Sequence, residues 1–324
     1  TSNYCMIIKE MNKKLPKFNA DIGEKFDLKS IALKKTHSRL TGTFIICLFL
    51  GAMFVDLALS DRLPLGLGLL FTFFALIMYF VKNYLNLNEQ WTYTRVVTES
   101  IKSEWFKYIV GGGDYPCNKE VGEEYYKNLF EKNIQEKILE YRTNIINVNG
   151  LPIEFELEVD PNTTQYRELN FEDRLELYKS RRMKDQLNWY EKKSVIMKNK
   201  EKRYRYGFGL VVFLGLIVGL IKLFDLSILN FNLFNNSDFF SIAVALGFAL
   251  ESANSLFQHE RLSITYKKSA NDLTESLNKI DDSDNDIQTD ENVFSEFVED
   301  VENRISNEHK SWSLTTNTKN IPNL

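Results

Sequence analysis

Long apolar runs alternate along the chain with stretches crowded with Lys, Glu, Asn and Asp, and four of the runs stand out. They extend over about Gly42 to Leu59, Leu63 to Val81, Tyr206 to Phe224 and Phe239 to Phe257, each with at most one charged residue. A helix rising about 1.5 Å per residue needs about 20 residues to cross a hydrocarbon layer of about 30 Å, so each run predicts a membrane-spanning helix. Short connections, Ser60 to Arg62 and roughly Asp225 to Asp238, join the first two runs and the last two, which predicts two hairpins. The competing expectation is four buried helices of a large soluble core; the near absence of charge over such lengths weighs against it.

Between the runs the pattern is helical. Trp91, Arg95, Glu99, Lys102 and Trp105 recur at three- and four-residue spacings with no breaker between them, so the second span is expected to continue as a helix until Gly111, Gly112, Gly113 and Pro116 end it. A second helical run covers about Lys119 to Thr143, and Asn149, Gly150 and Pro152 punctuate a turn. Ile153, Phe155, Leu157 and Val159 then alternate with Glu154, Glu156 and Glu158, the period of one short strand. From Phe171 to Arg205 a helical pattern runs into the third span without Gly or Pro, and another follows the fourth span from Gln258 to about Lys279. Asp281 to Glu291 is expected to be a solvated acidic linker. Val293, Phe294, Phe297, Val298, Val301, Ile305 and Trp312 then predict an amphipathic helix that needs a surface to dock on.

The predicted fold class is therefore an all-α membrane protein. It has four transmembrane helices in two hairpins, long cytosolic helical extensions and at most one short strand element. Residues 6–118 form a first two-span module, 119–170 a cytosolic connector, 171–280 a second two-span module, 281–292 the acidic linker and 293–313 the C-terminal amphipathic helix.

Composition changes this picture little. Over 324 residues the formal net charge is −4, and the mean hydropathy of −0.27 averages membrane and polar segments that have nothing in common. Cys5, Cys47 and Cys117 follow no motif spacing, and three thiols make no disulfide framework, so the polar portion is expected in a reducing compartment. The first apolar run begins some 40 residues in and follows Lys34, Lys35 and Arg39, so it is expected to stay uncleaved rather than serve as a signal peptide. Positive charge sets the orientation. Lys82 and Arg95 follow the second span, Lys198, Lys200, Lys202, Arg203 and Arg205 precede the third, and Arg261, Lys267 and Lys268 follow the fourth. All belong on one face, which places both termini and the middle segment in the cytoplasm.

The two halves share one architecture: a charged helical approach, two spans with a short external link, and a helical exit. Arg95-Val-Val-Thr-Glu99-Ser-Ile-Lys102 followed by Trp105 resembles the exit motif of one subtype of the SLATT family, two-transmembrane effector modules of bacterial conflict systems. Arg174, Tyr178, Arg182, Asp185-Gln186, Trp189-Tyr190 and Lys193 resemble the approach motif of another subtype. Val301-Glu302, Ile305, Glu308-His309 and Trp312 resemble that second subtype's closing helix. The resemblance covers most of residues 25 to 315 in tandem order; Glu104, where an apolar residue is expected before the Trp, departs from it. It implies a pore or permeabilising effector of the bacterial inner membrane, partnered with an enzyme that makes nucleotide signals.

Four sets of residues are candidates for carrying function. Ala243, Gly247, Glu251, Asn254, Ser255 and Gln258 fall on one face of the fourth span as a small and polar stripe opposite Phe248, Leu250 and Phe257. A carboxylate within a span costs at least about 2.5–3.5 kcal/mol unless it meets water or a partner. Two readings follow with equal weight. The stripe lines a pore and Glu251 repeats as a carboxylate ring in a homo-oligomer, a tetramer among the options; or the glycine allows close helix packing while Glu251 reaches the cytoplasmic interface. Gly215 and Gly219 make a G-x-x-x-G packing step in the third span. Lys192, Lys193, Lys198, Lys200, Lys202, Arg203 and Arg205 form a basic belt that suits topology and anionic lipid, or more sharply the phosphates of a nucleotide or oligonucleotide ligand. Asp56, near the external end of the first span, suits an interfacial or capping role better than a functional one, and Lys222 an interfacial anchor.

Catalysis finds no foothold. His37, His259 and His309 are scattered without metal spacing, and Gly111-Gly-Gly113 lacks the Lys and Ser/Thr of a phosphate loop. No cofactor is expected. The function read from the sequence is a non-enzymatic, cytosolically gated ion pore of antiphage defence; the alternative is a non-conducting adaptor that recruits a partner defence protein to the membrane.

Overall fold

A computed structural model describes residues 22–59, 64–117, 122–147, 163–223, 239–282 and 286–316. Among these residues the chain is helical and contains no strand; the strand expected over Ile153 to Val159 lies outside them. In chain order the helices are α1 (Ile22–Leu59), α2 (Leu65–Leu85), α3 (Leu87–Val110), α4 (Glu123–Asn147), α5 (Thr164–Arg167), α6 (Phe171–Tyr178), α7 (Lys184–Leu223), α8 (Phe239–Phe257), α9 (His259–Asp281) and α10 (Glu291–Thr316). A π-helical turn, Lys179–Met183, joins α6 to α7, and a 3₁₀ turn, Asp286–Gln288, precedes α10. Three stretches, Lys25–Ala58, Leu65–Val110 and Phe171–Leu220, hold segments long and apolar enough to cross a membrane.

Helix α1 runs 38 residues into the first apolar run, and the helical pattern from Phe171 into the third run is realised as α6, the π-helical turn and the 40-residue α7. The first exit differs from the expectation of one helix continuing out of the second span. Asn86 (φ 45°) separates α2 from α3 and Gln258 (φ 50°) separates α8 from α9; these are the non-glycine residues with positive φ among those described. Asn is among the L-residues that enter the left-handed region most readily, so a single residue turns the chain without a Gly or Pro to announce it. Each half thus has a continuous approach and a jointed exit.

Contacts divide the chain into two units. One takes the described residues of 1–34, 86–190 and 268–324; the other takes 35–85 and 191–267. The first unit is built around α3, which is buried along most of its length: Trp91, Val97, Ile101, Trp105 and Ile109 are all buried, Ile109 completely. Thr92, Thr94 and Thr98 are buried with them and satisfy their hydroxyls on the carbonyls of Asn88, Gln90 and Thr94 at 2.7–2.8 Å. On α4, Tyr126, Phe130, Ile134, Ile138 and Tyr141 recur at helical spacing and are buried; Phe130 stacks on Tyr108 at 4.6 Å and Tyr141 meets Phe26 edge-on at 4.9 Å.

The amphipathic C-terminal helix finds its surface here. Phe294, Val298, Val301 and Ile305 are buried, and Phe294 packs edge-on against Phe171 and Tyr178. The glycine triplet that ends α3 makes the docking possible. Gly111 (φ 82°) and Gly112 both return their amides to the Lys107 carbonyl, and the Gly113 amide donates to the Ser295 carbonyl at 3.1 Å. A Cβ on Gly112 would lie 2.3 Å from Val298 Cγ1. Gly112→Ala is therefore expected to cost about 1–3 kcal/mol through overpacking, read as a lower thermal midpoint and earlier proteolysis of α10. The acidic segment ahead of α10 is ordered where it is described: Ile287 is buried, Gln288 donates to the Ile280 carbonyl at 2.7 Å, and Asp290 Oδ1 accepts from the Asn292 amide at 2.7 Å.

In the second unit the pattern inverts, with large apolar side chains facing outward: Phe73, Phe80, Leu210 and Phe213 are each about three-fifths exposed. A soluble unit would bury these; a bilayer would cover them. Small residues set the helix contacts. A Cβ on Gly51 would lie 2.6 Å from Thr72 Oγ1, and one on Gly68 would lie 2.6 Å from Val55 Cγ2, so α1 and α2 meet at nearly backbone distance. Between α7 and α8, a Cβ on Gly215 would lie 2.7 Å from Ala243 Cβ and one on Gly247 would lie 3.4 Å from the Phe208 ring. Ser194 and Ser263 exchange hydroxyl-to-carbonyl hydrogen bonds, both 3.1 Å, which clasp α7 to α9.

Candidate functional site

Within the first unit, three arginines on consecutive elements converge on the end of α3. Arg167, on α5, donates to the carbonyls of Tyr108, Tyr115 (3.0 Å) and Pro116 (3.2 Å), pairs with Glu123 at 2.7 Å and lies over the rings of Tyr108 and Tyr126. Arg174, on α6, donates to the Val110 carbonyl at 2.8 Å, touches Cys117 Sγ at 3.1 Å and pairs with Glu291 at 2.8 Å. These guanidiniums take carbonyls that the last turn of a helix cannot satisfy by itself. Helix α6 is set for this by Asn170, whose side chain accepts from the Asp173 amide at 2.8 Å as an N-cap.

Arg182 lies in the π-helical turn, where one extra residue per turn re-aims side chains. Its guanidinium grips Glu302 of α10 with two bonds, 2.9 and 2.8 Å, and both residues are at most 2% exposed. Tyr178 donates to the same carboxylate at 3.1 Å, Glu99 stands 3.9 Å from the guanidinium, and Phe106 lies beneath it at 5.1 Å. Burial, reinforced by the Glu302 charge, pushes the Tyr178 hydroxyl well above its ordinary range. Burial works against the Arg182 charge, but Glu302 outweighs it and holds the guanidinium protonated.

A further cluster explains Glu104. This carboxylate is buried with Lys107 at 2.9 Å and Lys137 at 3.4 Å, and it accepts from the Tyr115 hydroxyl at 2.8 Å. Burial raises its pKa, but the two ammonium groups and these hydrogen bonds outweigh that and leave it below the usual value. The Tyr115 hydroxyl is pushed up, first by burial and then by Glu104.

The stripe expected on the fourth apolar helix lies in the second unit and divides in two. Ala243 and Gly247 face α7, while Glu251 and Ser255 are exposed and Asn254 is half-buried with Oδ1 lacking a hydrogen-bond partner. Gln258 sits in the joint rather than on the helix, so the stripe ends at Ser255. A Cβ on Gly215 would crowd Ala243 of α8, and Gly219 is half-buried. Along the belt, Lys192, Lys198, Lys200, Lys202, Arg203 and Arg205 are exposed and Lys193 half-buried; Arg205 pairs with Glu201 one turn earlier. Among the described residues no group of three or more His, Cys, Asp and Glu is placed to hold a metal ion.

Residues 24–175 match the family described as SMODS and SLOG-associating 2TM effector domain 3 (SLATT_3), and residues 178–312 match SMODS and SLOG-associating 2TM effector domain 1 (SLATT_1). The chain is a tandem of two SLATT domains. No curated protein and no solved structure matches it. Neither SLATT segment maps onto one unit: each contributes residues to both. The motifs that the sequence sets far apart meet in the first unit. Arg95 and Glu99 of the SLATT_3 exit lie against Trp189 and Arg182 of the SLATT_1 approach, at 4.9 and 3.9 Å, and Glu302 of the SLATT_1 closing helix completes the group. Arg167 carries no motif signal in the sequence, and its role emerges only from the fold.

Proposed function

We propose that this tandem SLATT protein is a homo-oligomeric, pore-forming effector of a bacterial defence system. Four helices cross the inner membrane as two hairpins, with both termini and the helical extensions in the cytoplasm. A nucleotide-derived signal, made by a partner enzyme and held through phosphate contacts, acts on the cytosolic helices. The second hairpin lines the path, and the ion flow depolarises the cell. The carrying observation is a tandem of two domains of a 2TM effector family in a chain whose apolar helices turn their large side chains outward. The exposed Glu251 on α8 adds a charge that an oligomer would repeat as a ring. The exposed basic belt offers the phosphate contacts.

The test is conductance of the purified full chain in liposomes, with and without candidate cyclic nucleotides. Signal-dependent potassium flux is expected; its absence under every nucleotide tried, with the protein demonstrably inserted, would sink the pore reading in favour of an adaptor. At an effective dielectric constant of about 20, a carboxylate about 4 Å from a cation acts with about 4 kcal/mol. Even a third of this attraction is about 1.4 kcal/mol, so Glu251→Gln is expected to lower the preference for cations over anions at least about tenfold, measured as a shift in reversal potential. Unchanged selectivity would return Glu251 to the membrane interface.

A further inference from the structure

The open end of the first hairpin gathers three polar groups that are unpartnered among the described residues. Three contacts fix the register of α1 against the antiparallel α2: Val55 with Gly68, Gly51 with Thr72, and the rings of Phe44 and Tyr79 at 6.1 Å. Each step back along α1 is matched by an equal step forward along α2, and the same register sets Lys82 opposite Thr41. Thr41 directly precedes the first apolar run and Lys82 directly follows the second, so both lie where the spans leave the hydrocarbon. Thr41 is 1% exposed, and its hydroxyl has no hydrogen-bond partner among the described residues. His37, one turn earlier on the same face, is half-buried, and its Nδ1 is equally unmatched. Burial, and then the Lys82 charge, hold the His37 pKa down to about 4, so the imidazole is uncharged at neutral pH and one of its nitrogens carries a proton to donate. Lys82 is half-buried, makes no ion pair among the described residues, and is pressed by burial towards losing its proton. Beside Thr41 there is room: a Cβ on Gly42 would meet nothing within 4 Å.

We propose that this corner binds the phosphate of an anionic phospholipid, with the Lys82 ammonium, the Thr41 hydroxyl and the His37 Nδ1–H as its donors. The three groups select the charge of the ligand. A half-buried ammonium without a carboxylate is stabilised by an anion and repels a cation. Water would satisfy Thr41 and His37 but leave that charge uncompensated. A phosphate offers several oxygens, enough to accept from all three donors at once, in bonds that its charge strengthens. The position selects the source. Where the apolar runs give way to the polar approaches, the bilayer itself supplies a layer of phosphates, at a depth that a soluble phosphate reaches less readily. The proposal rests on α1 and α2 crossing the membrane, as in the function above, and not on conductance; it uses none of the residues of the basic belt on α7.

The experiment is native mass spectrometry of the full chain in a neutral detergent, titrated with phosphatidylglycerol, with phosphatidylcholine and with inorganic phosphate. One phosphatidylglycerol is expected to bind about tenfold tighter than phosphatidylcholine, whose choline brings its own cation to the phosphate. Millimolar inorganic phosphate should not displace it; displacement would keep the three donors and make free phosphate, not lipid, their ligand. Thr41→Val removes a hydroxyl without changing charge and should weaken the tight site about tenfold, as should Lys82→Gln. Lys35→Gln, the same loss of charge at an exposed position on another face of α1, should leave it within about twofold. Folding is checked without lipid. A hydroxyl that has no partner stabilises nothing, so the thermal midpoint of Thr41→Val should not fall, and the rise that phosphatidylglycerol gives the unmodified chain should disappear. Equal affinity for the two lipids, a tight site that survives Thr41→Val, or Lys35→Gln as damaging as Lys82→Gln would overturn the proposal. Alkaline extraction of the membrane-bound chain tests the membrane reading separately: release from the bilayer would remove that reading and this site together, whereas a chain that stays inserted and lacks the lipid selectivity loses the site alone.

Discussion

Glu302→Ala is expected to loosen the C-terminal helix more than any other single substitution in the first unit. The residue is 1% exposed and receives two bonds from Arg182 and one from Tyr178. Removing one partner of a buried pair strands the other charge, a cost of about 3–5 kcal/mol. The consequence is specific, because Phe294, Val298, Val301 and Ile305 dock α10 around this pair. The thermal midpoint of the purified chain should fall by roughly 10 °C, and limited proteolysis should cut α10 first. An exchange of both charges for apolar residues, Arg182→Met with Glu302→Leu, should recover most of the loss, since a buried pair and a packed apolar pair differ little in stability. A double variant no better than Glu302→Ala would show that the geometry of the pair, and not relief of a stranded charge, holds the helix.

Arg167→Ala should rank second, at about 3 kcal/mol or more, because three carbonyls and the Glu123 carboxylate lose their donor together. Arg167→Lys is the sharper measurement. Lysine keeps the charge but offers a point donor where the guanidinium presents a planar fork across two tyrosine rings. It is expected to restore less than half of the stability lost to alanine, as read from thermal unfolding. Full rescue by lysine would mean that charge alone matters at this position.

These two arginines show where the sequence was legible and where it was not. The apolar runs declared themselves because length and lack of charge are properties of a contiguous stretch. The amphipathic α10 did so because its buried positions repeat every three or four residues. Arg182 and Glu302 are 120 residues apart, and nothing local couples them; they became noticeable only as members of two motifs that resemble one family. Arg167 belongs to no periodic pattern at all. Glu104 read as a departure from the family pattern, yet Lys107, Lys137 and Tyr115 surround it with partners that sequence spacing does not reveal. On the fourth apolar helix, the small residues Ala243 and Gly247 spoke equally for a pore wall and for helix packing. Within the chain they meet α7, while Glu251 faces outward.

The joints at Asn86 and Gln258 have a consequence for how such a chain tolerates change in length. In an unbroken helix, inserting one residue rotates everything beyond it by about 100°, so a longer span in α1 or α7 would turn the polar end of the same helix away from its partners. A left-handed residue after the span interrupts that bookkeeping. In α9 the buried face of Leu262, Tyr266, Ala270, Leu273 and Leu277 is phased from His259 onward, independently of the residue count in α8. The residue count of α2 and of α8 can thus change without rephasing the helix that follows each joint, whereas α1 and α7 carry any change along their own length.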